Sequence, residues 1–211
     1  MTNQLVITVG QARALADLAP KNDSRTYLCG VCFDFTTRRA IVTNGHYLLA
    51  LNCKAYSDND ALGDAQAVIG KDQLRKFAVG GKKTENIVVF YDGEAITLRR
   101  VLEGTRQRSK PLEGRYPDYQ QVIPEPNGKP ADFNLEYLAM LNKALWECCA
   151  PASRPIDSAL LTPNGTSAGT VHWPGYEREA IGVVIPMLAK GTRPSNPAFP
   201  VQEFSAKLKG V

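Results

Sequence analysis

The sequence predicts an α+β fold made of three consecutive β-α-β-β-β units. Three observations carry that reading. Short β-rich runs alternate with short amphipathic stretches, and each amphipathic stretch is followed by three β-type runs. Hairpin dipeptides sit between runs, at Asn44-Gly45, Asp92-Gly93 and Asn164-Gly165. The hydrophobic fraction of 44% is enough to bury a core across 211 residues.

In the first unit, residues 5–9 (LVITV) form a compact β run. Residues 11–19 are rich in Ala and Leu and stop before Pro20, which predicts a short helix with Leu15 and Leu18 inward and Arg13 and Asp17 outward. Strands follow at 27–35, 39–43 and 47–53. The second unit repeats the plan, with a strand at 65–69 and a helix at 71–78 that buries Leu74, Phe77 and Ala78. Gly80-Gly81 stops this helix, and strands follow at 86–91, 95–100 and 107–112. The third unit opens with a very short strand at 132–133 and an N-cap at Asn134. Its helix, 135–147, carries Leu138, Leu141 and Leu145 on one stripe, and its strands lie at 158–162, 169–173 and 180–185. Residues 191–200 read as a linker, and 201–211 as one short amphipathic helix with Phe204 and Leu208 four apart.

Composition narrows the function classes. Charged residues are 22% and the net charge is +4, a mild excess compatible with a polyanionic partner. The densest basic stretch is Arg99-Arg100 with Arg106, Arg108 and Lys110, expected as a solvated strand edge and loop. No apolar run approaches the roughly 20 residues that span a bilayer. The N-terminus lacks the features of a signal peptide, so a soluble cytoplasmic protein is expected. Five cysteines at loose spacing do not form a disulfide framework. Cys29 and Cys32 are three apart on an expected strand and point to opposite faces, so buried thiols are expected rather than a zinc site. His46 with Cys148 or Cys149 lacks the third, orienting group that a thiol nucleophile needs, so no catalytic residue is assigned.

Four segments carry a resemblance. Residues 28–33 (LCGVCF) followed by 43–48 (TNGHYL) resemble the middle domain of the bacterial DNA polymerase III β sliding clamp family, whose turn usually reads T-D-G-H-R-L. Residues 113–124 (EGRYPDYQQVIP) resemble that family's G-R-F-P-D-Y-x-x-V-x-P segment. Phe133-Asn134 with Tyr137-Leu138 is similar to the start of its last domain, and residues 184–187 (VIPM) to its M-P-M ending. Departures are Asn44 for Asp, Tyr47 for Arg, Ile185 for Met, and a tail beyond the family's usual C-terminus.

The resemblance implies a DNA-clamp fold, truncated relative to the family: residues 1–124 as a clamp domain, 125–190 as half of another, and 191–211 as a C-terminal tail. It implies no enzyme activity and no cofactor. It implies a peptide-binding pocket for DNA polymerase and clamp-loader peptides, walled by Leu28, Thr43, Gly45, His46, Leu48, Pro117, Val122, Val183, Ile185, Pro186 and Met187. It implies sequence-independent contact with double-stranded DNA through Arg13, Arg25, Tyr27, Lys71, Arg75 and Lys76, all acting on phosphates or beside them. The third helix mixes Glu136, Lys143 and Glu147 and reads as a solvated face. Three units cannot encircle DNA alone, so a processivity factor of this kind is expected as a homo-oligomer. The rival expectation is a non-encircling interaction module that binds the same peptides and hijacks or inhibits host replication. The tail is expected to fold back on the pocket or reach a neighbour through Phe199, Phe204 and Leu208.

Overall fold

Thr8 ends one strand and starts one helix. Its hydroxyl accepts from the Gln11 amide (3.1 Å), and the Gln11 side chain accepts from the Thr8 amide (2.8 Å). This reciprocal capping box satisfies two amides that a helix start leaves free. Strand β1 (Asn3–Thr8) therefore runs straight into helix α1 (Val9–Leu18), two residues earlier than the Ala-Leu pattern predicts. The structure is a computed structural model that describes residues 3–56, 65–125, 127, 129, 131–149, 156 and 158–187. The expected tail helix and linker lie outside these residues.

The first unit continues with β2 (Gly30–Asp34), β3 (Arg39–Thr43) and β4 (Tyr47–Asn52). The second comprises β5 (Gln66–Gly70), α2 (Lys71–Ala78), β6 (Asn86–Tyr91), β7 (Ile96–Arg100) and β8 (Arg106–Ser109). The third comprises α3 (Leu135–Cys149), β9 (Leu160–Asn164), β10 (Ser167–His172) and β11 (Ala180–Val184).

Three expectations fail locally. The strand over 27–35 is preceded by a 3-10 turn, Thr26–Cys29, so Cys29 is not on the strand with Cys32. Gly30 explains the break: a Cβ there would lie 2.5 Å from the Ile69 carbonyl, so β2 starts at a point of close strand approach. Residues 132–133 are not a strand; the Asp132 carbonyl instead accepts from the Met187 amide (2.8 Å). Cys148 and Cys149 do not follow the third helix but form its last turn, with Cys148 buried.

The sheets exchange strands between units. One sheet has the order β1-β6-β7-β8 and the other β5-β2-β3-β4-β11-β10-β9. β1 of the first unit thus completes the second unit's sheet, and β5 of the second completes the first unit's, all antiparallel. α1 and α2 run antiparallel: Arg13 donates to the Ala78 and Gly81 carbonyls (2.7 and 2.9 Å), and Arg75 meets Asp17 at 2.9 Å. The Lys71 ammonium closes the pair by donating to the Ala19 carbonyl. The third unit joins the first through β4 and β11, so its sheet is continuous across that junction.

The long sheet is apolar on both faces. Alternate residues of β4 divide between them: Tyr47, Leu49 and Leu51 enter the main core with α1, while Leu48 and Ala50 join a second cluster with Leu28, Ile41, Tyr116, Tyr119 and Val183. Each fully buried aliphatic side chain is worth roughly 1.5–3 kcal/mol relative to exposure. The second cluster, roofed by the segment ending in a 3-10 turn at Tyr119–Val122, underlies the candidate site.

Candidate peptide-binding site

The site lies beside the seam where β4 pairs with β11, from Tyr47↔Val184 to Leu51↔Ala180. At its mouth is the turn between β3 and β4. Asn44 accepts through Oδ1 from the His46 and Tyr47 amides (2.9 and 3.0 Å), and Gly45 adopts φ +89°. A carboxamide oxygen serves this Asx turn as well as a carboxylate does, which accounts for Asn44 here. The Thr43 hydroxyl donates to the Tyr47 carbonyl (2.6 Å) and accepts from the Gly45 amide (3.1 Å).

Opposite the turn, Pro117 and Val122 form a wall. Tyr119 anchors it: its hydroxyl donates to Asp34 Oδ2 (3.1 Å) and accepts from the Thr37 hydroxyl (2.7 Å). Asp34 is buried and also accepts from the Thr36 and Thr37 amides (2.9 and 3.0 Å). Burial pushes the Tyr119 phenol up, so it stays a donor. Behind the other wall, the Tyr47 hydroxyl donates to the Leu18 carbonyl at the end of α1. Burial, reinforced by Tyr137, pushes this phenol up to about 12.

These elements enclose a cavity of about 170 Å³, lined by Arg25, Leu28, Thr43, Gly45, Tyr47, Leu48, Pro117, Tyr119, Val122, Val183 and Ile185. Small-molecule sites run roughly 300–1,000 Å³. This one has room for apolar side chains of a peptide rather than for a whole ligand. Of the expected wall residues, Leu28, Thr43, Gly45, Leu48, Pro117, Val122, Val183 and Ile185 come together. His46, Pro186 and Met187 do not line the cavity. The exposed His46 ring stacks on Tyr137 (5.9 Å), its carbonyl accepts from the Ile185 amide (2.8 Å), Pro186 is buried, and Met187 is 58% exposed.

Sequence reasoning missed Tyr47 and Tyr119 as lining residues, and it placed Arg25 in the DNA set. Arg25 stands at the cavity edge, with two bonds to Asp23 (Nε to Oδ1 and a terminal nitrogen to Oδ2, both 3.0 Å). Those bonds hold the Asp23 carboxyl down to about 2. Tyr119 had a legible signal, an aromatic between Pro117 and Val122; Tyr47 had none, because its ring belongs by alternation to the other face.

The expected DNA residues do not form one outward set. Arg13 is committed to carbonyls of the α2 end, and Lys71, expected outward, is 8% exposed with its ammonium on Ala19. Both hold α1 against α2, which corrects the expectation that they face a duplex. Arg75 is exposed but paired with Asp17, Lys76 is exposed, and Tyr27 packs against Gly114. Arg100, expected on a solvated edge, is also buried, on Glu85 and Glu103 (both 2.7 Å). Arg99 lies over the Tyr56 and Phe90 rings at 5.5 and 5.4 Å.

The thiols sit in packing positions. Burial pushes Cys32 and Cys148 well above the ordinary thiol range and Cys149 up to about 11, far from the thiolate form a nucleophile needs. Among the described residues, no cluster of three or more His, Cys, Asp or Glu is placed to hold a metal ion. No helix among them is long and apolar enough to cross a membrane.

No family model matches the chain. The β sliding clamp of Vibrio cholerae is 26% identical over 141 residues, covering 64% of this chain and 37% of that protein. The DNA polymerase III β subunit of Borrelia burgdorferi superposes with a TM-score of 0.68 at 10% identity, over 89% of this chain and 64% of that one. That of Streptococcus pneumoniae gives 0.67 at 16% identity, over 89% and 65%. The Pseudomonas aeruginosa sliding clamp bound to griselimycin gives 0.64 at 14% identity, over 88% and 65%. This chain is similar to the bacterial β sliding clamps and has their fold. The clamp-like chain spans about 37% of the length of the curated clamp it matches. Its clamp fold sets the candidate cavity at the junction between its first and third units.

Proposed function

We propose that the chain is a sliding-clamp-like replication factor that holds linear apolar peptides of replication proteins in the cavity beside the β4–β11 seam. The observation that carries this reading is the convergence of eight resemblance-assigned residues, from four separate stretches of chain, on one apolar cavity. Hydrophobic walls supply affinity, while Arg25, Thr43 and the exposed turn at Gly45 offer polar groups for peptide register. The factor works without chemistry of its own and without a cofactor, in the cytoplasm. Residues 1–124 act as the clamp domain and 125–190 as the half domain joined to it. A labelled peptide from the clamp-interacting segment of a bacterial replicative polymerase, titrated with the chain, tests the reading by fluorescence anisotropy. Saturable binding that is competed by the unlabelled peptide supports it; no binding at high micromolar protein overturns it.

Contact with double-stranded DNA is the second part of the proposal, carried by Arg75 and Lys76, and by Arg25 at the cavity, rather than by Arg13 and Lys71. The withdrawal of those two cations favours weighing the alternative, a non-encircling module that binds host replication peptides and competes with the host clamp. DNA binding with a steep salt dependence supports the clamp reading. Peptide binding without any DNA binding supports the module.

A further inference from the structure

The four-stranded sheet has an outer face that neither the helices nor the cavity uses. Leu5, Ile7, Ile87, Val89, Ile96 and Leu98 point into the main core, so the alternate residues of β1, β6 and β7 point the other way. The register sets them in two rows, Gln4–Phe90–Thr97–Arg108 and Val6–Val88–Arg99–Arg106. The second row ends in two arginines directly opposite each other on β7 and β8. Like charges in that relation destabilise a sheet, and among the described residues neither arginine forms an ion pair. Arg99 donates from one terminal nitrogen to the Tyr56 hydroxyl (2.9 Å), and its Nε is buried without a partner. Arg106 is exposed, and its guanidinium bonds to nothing among the described residues.

Two aromatic rings stand beside these cations. Tyr56 is 49% exposed, and its ring centroid lies 6.2 Å from that of Phe90. Phe90, Thr97, Arg99 and Arg106 line a groove of about 340 Å³ with Asp92 and Ala95. That volume falls in the range of roughly 300–1,000 Å³ typical of ligand sites. Asp92, the one carboxylate in the groove, is already engaged. It pairs with Arg108 at 3.0 Å and accepts from the Glu94 and Ala95 amides (3.0 and 2.8 Å).

We infer that this face binds single-stranded DNA, with a phosphate between Arg99 and Arg106 and a base against the Tyr56 ring. A phosphate there relieves the opposed charges. Rings set among cations form a general platform for single strands, because every base has a π-face and every linkage a negative charge. A duplex offers the phosphates but keeps its base faces stacked inside. An acidic peptide matches the charge and leaves the Tyr56 ring idle. RNA adds 2′-hydroxyls, for which the engaged Asp92 leaves no free carboxylate in the groove. The site is on the opposite side of this sheet from α2, apart from Arg75, Lys76 and the peptide cavity, and the inference depends on neither of those contacts. The chain carries one rival occupant of matching charge, residues 57–64 with Asp58, Asp60 and Asp64, next to Tyr56 in sequence.

Fluorescence anisotropy of a labelled oligothymidylate of about ten nucleotides, titrated with the full chain at low salt, tests the inference. Saturable binding is expected. Arg106→Gln and Tyr56→Leu are each expected to weaken it at least about fivefold while far-UV circular dichroism stays unchanged. Both variants are expected to keep the affinity for the polymerase peptide, so this site and the cavity stand or fall separately. Lys143→Gln, which removes the same charge from exposed α3, is expected to have no effect. No saturable binding, an equal loss in Lys143→Gln, or indifference to Tyr56→Leu overturns the inference. So does tighter binding, through the same two residues, of an oligouridylate, a duplex of the same length or a polyglutamate peptide. Binding that emerges only when Asp58, Asp60 and Asp64 are replaced together by Asn also overturns it, because the face then belongs to that segment.

Discussion

The Tyr119 hydroxyl donates to the buried Asp34 carboxylate at 3.1 Å, joining the roof of the cavity to the β2–β3 hairpin across 85 residues of sequence. This bond makes the Pro117–Val122 wall a fixed surface. Removing it by Tyr119→Phe leaves one lone pair of Asp34 unmatched in a buried place. The expected cost is about 1–3 kcal/mol in urea unfolding, the range for leaving a buried acceptor unsatisfied. Peptide affinity is expected to fall as well, because the wall loses its anchor. An unchanged unfolding midpoint would refute the anchoring role.

Val122 and Ile185 face the cavity and are 42% and 38% exposed, so a polar replacement there does not disturb the core. Val122→Asp and Ile185→Asp are each expected to reduce peptide affinity at least tenfold, about 1.4 kcal/mol. Val79→Asp, at a 67% exposed site beyond α2, is the control and is expected to leave affinity unchanged. Equal loss in all three would show that the cavity is not the binding site.

Lys71 and Lys76 separate structure from phosphate contact. Lys71→Met deprives the Ala19 carbonyl of its donor and is expected to destabilise by roughly 1–3 kcal/mol. Lys76→Ala is expected to stay within about 0.5 kcal/mol, as exposed substitutions do. In DNA titrations at several salt concentrations, Lys76→Ala is expected to lower the logarithmic salt slope by about one. A salt slope unmoved by Lys76→Ala would remove this residue from the DNA surface.

Tyr47 predicts an alkaline limit. Its phenol is pushed up to about 12 in the folded chain, against about 10 for an unperturbed tyrosine. The folded state therefore holds this proton more tightly than the unfolded state does. That contribution is fully present below about pH 10 and is lost as pH rises toward 12. Between those values the wild-type chain is expected to lose stability faster than Tyr47→Phe, which carries no such proton. Parallel urea midpoints for the two proteins from pH 9 to 11.5 would contradict the assignment.

Much of the architecture is legible in the residues because its signals are local. The helix at 71–78 is bounded by a glycine on each side and has its apolar residues at helical spacing, and the structure reproduces it at Lys71–Ala78. Strands 39–43 and 86–91 likewise have the predicted bounds. Failures cluster where a distant segment decides. The 3-10 turn at Thr26–Cys29 depends on β5 lying against Gly30, and the missing strand at 132–133 depends on Met187 reaching Asp132. The cavity residues were legible mostly through resemblance; Tyr47, which lines the cavity although its hydroxyl bonds to the end of α1, was not.

By itself the sequence determined three repeated units, their strand and helix types, and which residues carry hydrophobic or hairpin character. Those properties follow from side-chain periodicity and backbone preference over a few residues. Tertiary structure alone decided that β1 and β5 change places between units, that β11 extends the sheet of β4, and that Arg13 and Lys71 brace helices instead of facing outward. These are pairings between segments tens of residues apart. A strand's residues record that it has an unpaired edge, but not which other edge meets it. A lysine's position on a helical wheel does not reveal the carbonyl waiting on the neighbouring helix.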